Sequence, residues 1–160
     1  MAASVTDAFR RCRRDVVAFA RSGDRQTMVE AAAVLLLVRI GLWTLPFSVL
    51  RAALERIPQR TSRARVESPC DVGRIVKAVA QRLPVPMTCL VEALAAKAML
   101  RRRGRESTLQ LGVRSGRSAA RALDAHAWLV SDGNVVVGAF DDERAYLTLE
   151  RAAREAGNAT

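Results

Sequence analysis

The sequence predicts an α+β fold, with an N-terminal helical extension followed by helices packed on a small antiparallel sheet. Apolar residues recur at helical spacing along the first two thirds of the chain and alternate after "RRRG" at 101–104. Asp132 and Gly133 then separate two apolar runs, a pattern typical of a β-hairpin. Helices that precede a strand and a hairpin commonly pack together on one sheet.

The N-terminal region, residues 1–66, is predicted to be helical. We expect a helix over 5–21, a second from Met28 to Trp43, and a third whose first turn begins at Pro46. A polar segment bounded by prolines, 58–69, follows and has the composition of a linker. The domain boundary is therefore placed between residues 66 and 67.

The apolar run from Ala31 to Leu50 is about long enough to span a bilayer. Arg39 lies in its centre, and Gly41 and Pro46 are expected to break the helix. Because a charge at mid-bilayer is costly and each half is too short to span, we expect two buried or interface-facing helices. A transmembrane span is the alternative.

The second region, residues 67–160, has the pattern of a folded domain. An amphipathic helix is expected from Cys70 to Leu83, and another from Cys89 to a stop at Gly104. A strand over 107–113 and a hairpin around Asp132 and Gly133 complete it.

The charge of the chain limits its partners. The sequence carries 26 Lys plus Arg against 16 Asp plus Glu, a formal net charge of +10. This balance favours nucleic acid, an anionic membrane surface or an acidic peptide, without choosing among them. The arginines at 101–103 and 105 are candidates for binding such a partner, although a solvated helix end is the commoner explanation.

The three cysteines are predicted to be reduced. Cys12, Cys70 and Cys89 form no CxxC pair, so neither a zinc site nor any other metal or cofactor site is expected. The N terminus has no apolar segment of the secretory type, which favours a cytoplasmic location. Cys12 and Cys70 are interpreted as packing residues.

Cys89 is different because it follows a predicted helix cap. Thr88 is a good N-cap residue, so Cys89 is expected to be the first helical residue. The helix dipole and the amides at that position favour the thiolate form and can stabilise an oxyanion. A small core cysteine is the alternative interpretation.

His126 is the candidate partner of Cys89. It is the one histidine in the sequence and lies on a predicted strand beside Trp128, which shares its face. A neutral imidazole near a thiol can accept its proton and later protonate a leaving amine. Trp128 is either a wall of the site or a core residue.

Two segments carry a family resemblance: "TCLVEALAAKAMLRRRG", followed by a strand, and "AHAWLVSDGNVVVG". Together they resemble the transglutaminase-like cysteine peptidases that remove leaders in lasso-peptide biosynthesis. The resemblance covers roughly residues 67–150, and it implies a papain/transglutaminase-like domain. It also implies Cys89 as nucleophile, His126 as general base and acid, and an aspartate as third member.

The third member is not evident in the sequence. Gly138 stands where the acidic residue of the family usually falls. An unbroken register from a two-residue turn would pair 126 with 139, which places Asp141 diagonally on the face of His126 and Asp142 on the other face unless a bulge intervenes. Asp132 lies at the turn and is interpreted as a turn residue. Asp141 is the candidate acid, and a dyad without an acid is the main alternative.

The resemblance implies a leader peptidase that works with other proteins. These are the precursor leader, a separate leader-recognition protein and an ATP-dependent lasso cyclase; no nucleic acid is expected. Apolar residues of the N-terminal helices are candidates for contacting a partner or, peripherally, a membrane, among them Leu42, Trp43 and Phe47. The alternatives are a non-catalytic basic binding module for nucleic acid or an anionic membrane surface, and an acyltransferase of the same fold.

Overall fold

A computed structural model describes residues 25–59, 68–115, 123–138 and 147–148. The predicted helix over 5–21 lies outside these residues, as does most of the predicted linker. The elements of the described part are α1 (Arg25–Thr44), α2 (Phe47–Glu55), α3 (Pro69–Ala80), α4 (Cys89–Arg102), β1 (Thr108–Ser115), β2 (Leu123–Ser131), β3 (Asn134–Val137) and β4 (Leu147–Thr148). The predicted α+β class is confirmed.

Helix α1 continues through Gly41 to Thr44, so the break predicted at Gly41 is wrong. A Cβ atom at Gly41 would lie 3.0 Å from Cδ1 of Leu50, and the glycine therefore lets α2 pack closely against α1. The chain instead breaks before Pro46, which is the N-cap of α2 rather than its first helical residue. Proline suits a helix start because its missing N–H would have no intrahelical acceptor there.

One hydrophobic core joins the helices on both sides of the predicted boundary at 66/67. Leu35 of α1 and Leu54 of α2 belong to the same buried cluster as Val76 of α3 and Leu94 of α4. The boundary itself stays a prediction. The core is made of aliphatic side chains, as the low aromatic content of 4% implies.

Helix α4 lies at the centre of the fold and contacts each of the other three helices and the sheet. Eight of its 14 residues are buried. Four of these are alanines, whose small side chains let the neighbouring elements pack closely around Leu94, Met99 and Leu100. The chain leaves the helix at Gly104, whose φ of +70° lies in the left-handed region that glycine adopts without strain.

The described strands form an antiparallel sheet in the order β3-β2-β1-β4. Asp132 and Gly133 both have positive φ, 50° and 73°, which is the backbone that a two-residue hairpin turn requires. The predicted hairpin is therefore confirmed, with Ser131 opposite Asn134.

The predicted hairpin register is wrong beyond the first two pairs. A bulge between Leu129 and Val130 places Leu129 opposite Val137 rather than Val136. A bulge adds one residue to one strand and changes which residues of the two strands face each other. Asp141 was preferred over Asp142 only for an unbroken register, and the bulge removes that preference.

Candidate active site

Cys89 is the first residue of α4, as predicted. The Thr88 hydroxyl accepts a hydrogen bond from the amide of Val91 at 3.4 Å, which confirms Thr88 as the N-cap. The thiol belongs to no disulfide and is half-buried. Packing of α4 on all its neighbours fixes the position of this helix start relative to the sheet.

The first turn of α4 leaves two amides directed out of the helix. The amides of Val91 and Glu92 donate to the side chain and the carbonyl of Thr88. The amides of Cys89 and Leu90, at the first two helical positions, have no acceptor within the helix. Such amides at the positive end of a helix can stabilise an oxyanion that forms beside the thiol.

His126 lies on β2, and a backbone carbonyl orients its ring. Its Nε2 atom is 2.8 Å from the carbonyl oxygen of Gly138, just after β3. Since a carbonyl oxygen can only accept, Nε2 must carry the proton and donate it in this bond. In the neutral ring the lone pair is then on Nδ1, which is the atom able to accept a proton.

Gly138 occupies a position that only glycine can take without rearrangement. Its φ is +82°, and a Cβ atom there would lie 2.5 Å from the carbonyl oxygen of Ala127. An aspartate side chain would meet this backbone before it could reach the histidine. The chain therefore has the Gly138 carbonyl as an acceptor for His126 at the position where the resemblance implies an acid.

Trp128 packs beside the histidine, as its spacing predicts. The two rings are stacked, with centroids 6.3 Å apart and an interplanar angle of 20°. Trp128 is almost fully buried, with 4% of its surface exposed. It thus limits the orientations open to the His126 ring while filling space in the sheet.

Glu92 is a residue that the sequence analysis missed. It lies one turn after Cys89, a spacing that places both side chains on one face of α4. Burial raises the pKa of the Glu92 carboxyl, and Lys77 and His126 partly oppose this rise by attracting its charge. An acidic residue at the i+3 position from a helix-start cysteine was the signal in the sequence.

The predicted catalytic residues are not all in contact. Among the described residues, no hydrogen bond joins the Cys89 thiol to the His126 ring. The ring lies close enough to the first turn of α4 for its charge to oppose the rise in the pKa of Glu92. Asp141 and Asp142 lie outside the described residues. Asp132 lies at the turn, as predicted, and pairs with Arg105 at 3.5 Å.

Two of the arginines at the end of α4 form structural contacts rather than a free cationic patch. Arg103, whose side chain is only 10% exposed, pairs with Glu30 of α1 at 2.8 Å and also donates to the carbonyl of Met99. Arg102 pairs with the same carboxylate at 3.0 Å. The reading of this segment as a solvated helix end is therefore wrong for Arg103.

The other two cysteines are placed differently. Cys70 is half-buried near the start of α3, and its amide donates to the hydroxyl of Ser68. Cys12 lies outside the described residues. Cys70 is thus a second thiol at a helix start, which makes it a natural control for Cys89.

Comparison with known proteins gives one match. A family model described as the transglutaminase-like superfamily matches residues 32–151, three quarters of the chain. The match begins within α1 and includes the first turn of α4, His126 and Gly138. No curated protein and no solved structure matches the chain.

Proposed function

Because the chain belongs to the transglutaminase-like superfamily, we propose that it is a cysteine peptidase that removes the leader from a ribosomally made precursor during lasso-peptide maturation. The superfamily match supports a cysteine-type enzyme. The motif resemblance supports the leader peptidase. The observation that carries the proposal is the placement of Cys89 at the start of the central helix, with an oriented histidine on the adjacent strand.

In the proposed reaction, Nδ1 of His126 accepts the thiol proton and Cys89 attacks the scissile carbonyl carbon. The amides of Cys89 and Leu90 stabilise the oxyanion of the tetrahedral intermediate. The imidazolium then protonates the leaving amine, and an acyl-thioester remains on Cys89. Water, deprotonated by the same histidine, hydrolyses the thioester. Catalytic hydrogen bonds often tighten only in the substrate complex, as the Cys89–His126 pair must do here.

The Gly138 carbonyl replaces part of what an acid would supply. It holds the Nε2–H tautomer and fixes the plane of the ring, which are two of the roles of a triad aspartate. It carries no full charge, so it offsets the imidazolium less than a carboxylate would. Asp141 and Asp142 are both candidates for a charged partner of His126, because the bulge removes the register on which Asp141 was preferred, and Glu92 is a further source of negative charge.

The first test is whether a precursor-peptide gene lies beside the gene for this chain, and the encoded precursor then serves as the substrate. The purified chain is incubated with precursor, with and without the leader-recognition protein, and the products are weighed by mass spectrometry. We expect cleavage with a free carboxylate on the leader, faster when the recognition protein is present. The lasso cyclase is expected to act on the released core peptide.

A second candidate is acyl transfer by the same thioester, because the chemistry up to that intermediate is identical. Adding a simple alkyl amine such as cadaverine to the same reaction separates the two activities, because hydrolysis requires no amine acceptor. A cadaverine amide of the leader that exceeds the hydrolysed product would favour transfer. Products of unchanged mass with every acceptor would contradict both, and would leave a non-catalytic binding module.

A further inference from the structure

The outer face of α1 carries a continuous apolar stripe. Five large side chains recur at helical spacing on one side of the helix and are 38–94% exposed. They extend about 21 Å along the helix axis, at 1.5 Å per residue. We call this set the α1 stripe; its members are Val29, Leu36, Leu37, Ile40 and Trp43.

The contact role predicted for Leu42, Trp43 and Phe47 stays a prediction, but the three residues differ in exposure. Trp43 is 94% exposed and belongs to the stripe. Leu42 and Phe47 are half-buried and pack against the hydrophobic core, so they are less available for contact than Trp43. The stripe is instead made of residues that point away from the core on the opposite side of α1.

The opposite face of α1 is held by the protein. Ala31, Leu35 and Val38 are buried against α3 and α4. Arg39 donates to the carbonyl of Pro86, and Glu30 is engaged by two arginines of α4. Although α1 is long and apolar enough to cross a bilayer, with a mean hydropathy of 1.6, a helix bound along one side in this way is suited to lie flat on a membrane.

Cations lie at the edges of the stripe. Arg25 and Arg102 line the same surface depression as Val29 and Leu37. Glu30 lines the same depression and is engaged by both Arg102 and Arg103, so these three groups together keep one positive charge, to which Arg25 adds a second.

We propose that the α1 stripe binds the surface of an anionic phospholipid bilayer. An exposed apolar helix face bordered by guanidinium groups fits the boundary between acyl chains and phosphates, where the apolar side chains are buried and the cations meet headgroups. The exposed Trp43 ring suits this boundary because it is apolar with one polar N–H. The net charge of +10 adds a long-range attraction to the same surface.

The test measures binding of the full chain to vesicles. One set contains phosphatidylcholine alone, and the other contains equal parts of phosphatidylcholine and phosphatidylglycerol. We expect co-sedimentation with the second set only, weakened at high salt because exposed charges are screened. In a Trp128→Phe background, Trp43 emission should move to shorter wavelength on binding.

Two sets of variants locate the surface. Leu37→Gln with Ile40→Gln keeps good helix formers on the exposed face, and we expect at least tenfold weaker partition into the anionic vesicles. Arg25→Gln should weaken binding severalfold. The control Arg105→Gln removes an exposed cation that pairs with Asp132 of the hairpin, and it should leave binding less affected than Arg25→Gln. Circular dichroism verifies that each variant is folded.

Several results would overturn the proposal. The first is no binding to anionic vesicles at low salt, and the second is binding that Leu37→Gln with Ile40→Gln leaves unchanged. The third is Trp43 fluorescence that soluble quenchers fail to reduce even without vesicles. Another part of the chain, a second copy or a protein partner would then cover the stripe. Protein that resists alkaline carbonate extraction would mean that α1 spans the bilayer instead.

Discussion

Nε2 of His126 donates a hydrogen bond of 2.8 Å to the carbonyl oxygen of Gly138. This bond gives the imidazole a defined tautomer without an acidic side chain. It also gives Gly138 a role at the position where the resemblance implies an acid. The left-handed backbone at Gly138 brings the carbonyl within reach, and no other residue adopts that backbone here without a clash.

The tautomer of His126 can be measured directly, because the sequence contains one histidine. We expect the neutral ring to be protonated at Nε2, with its lone pair on Nδ1. Long-range ¹H–¹⁵N NMR spectra of the ¹⁵N-labelled protein distinguish the two nitrogens. A neutral ring protonated at Nδ1 would contradict the role assigned to the Gly138 carbonyl.

Replacing Gly138 should impair both stability and activity. Gly138→Ala places a methyl group 2.5 Å from the carbonyl oxygen of Ala127, so the hairpin must move and the hydrogen bond to His126 is lost. We expect cleavage to slow at least tenfold, equivalent to about 1.4 kcal/mol. The matched control is Gly133→Ala, since φ at Gly133 is +73° but no atom lies within 4 Å of its added methyl group. If both variants lost the same fraction of the cleavage rate, the effect of Gly138→Ala would come from backbone strain alone and not from the lost hydrogen bond to His126.

The role of Asp141 is tested against that of the turn aspartate. A carboxylate would stabilise the imidazolium charge, which the Gly138 carbonyl does not fully offset, so Asp141→Asn should slow cleavage at least tenfold, or about 1.4 kcal/mol. Asp132→Asn should change the rate little, because asparagine is also favoured in such a turn. Cleavage rates of these variants and of Asp142→Asn are compared. A loss confined to Asp142→Asn would identify that residue, and parental rates for all three would indicate a Cys–His dyad.

Stability should depend on pH through Glu92. Burial raises the pKa of its carboxyl in the folded chain, so the folded state holds this proton at pH values where the unfolded state has lost it. Ionising the buried carboxyl lowers the free energy of unfolding. This loss is absent below the ordinary pKa of about 4.3, grows as the pH rises toward the pKa of Glu92 in the folded chain, and is constant above that pKa. Glu92→Gln should therefore gain unfolding free energy relative to the parent as the pH rises to neutrality. Denaturant titrations at several pH values test this, with the exposed Glu106→Gln as control; a difference independent of pH would contradict it.

The contact between the ends of α1 and α4 should depend more on Arg103 than on Arg102. Arg103 is 10% exposed and makes bonds to Glu30 and to the Met99 carbonyl, whereas Arg102 is 39% exposed. We expect Arg103→Gln to lower the free energy of unfolding by about 2 kcal/mol and Arg102→Gln by about 0.5 kcal/mol. Chemical denaturation of the two variants compares them. If both variants lost the same free energy of unfolding, burial of the Arg103–Glu30 pair would add nothing to the stability of the fold.

The sequence was sufficient for features that depend on local chemistry. Thr88 caps α4 because its hydroxyl can reach the amide three residues later, and Asp132 with Gly133 forms the turn because both tolerate positive φ. The helix and strand types follow from apolar periodicity in the same way. These are interactions between residues close in the chain, and the sequence pattern specifies them directly.

Features that depend on packing between distant parts of the chain could not be predicted from the sequence pattern. Gly41 was expected to break a helix, but contact with Leu50 makes a glycine useful inside α1. The bulge at Leu129 and Val130 has no signal in the apolar pattern, yet it changes the register on which the choice of Asp141 rested. The acceptor for His126 is a backbone atom, which no side-chain motif can indicate.

The central claim is that Cys89 is the nucleophile, and the most direct measurement compares Cys89→Ala with Cys70→Ala in leader cleavage. Both thiols are half-buried at helix starts, so the two variants differ in position rather than in the kind of change. Rates are measured with precursor and recognition protein, with circular dichroism to verify folding. The account predicts no cleavage by Cys89→Ala and a near-parental rate for Cys70→Ala. Cleavage retained by folded Cys89→Ala would contradict it.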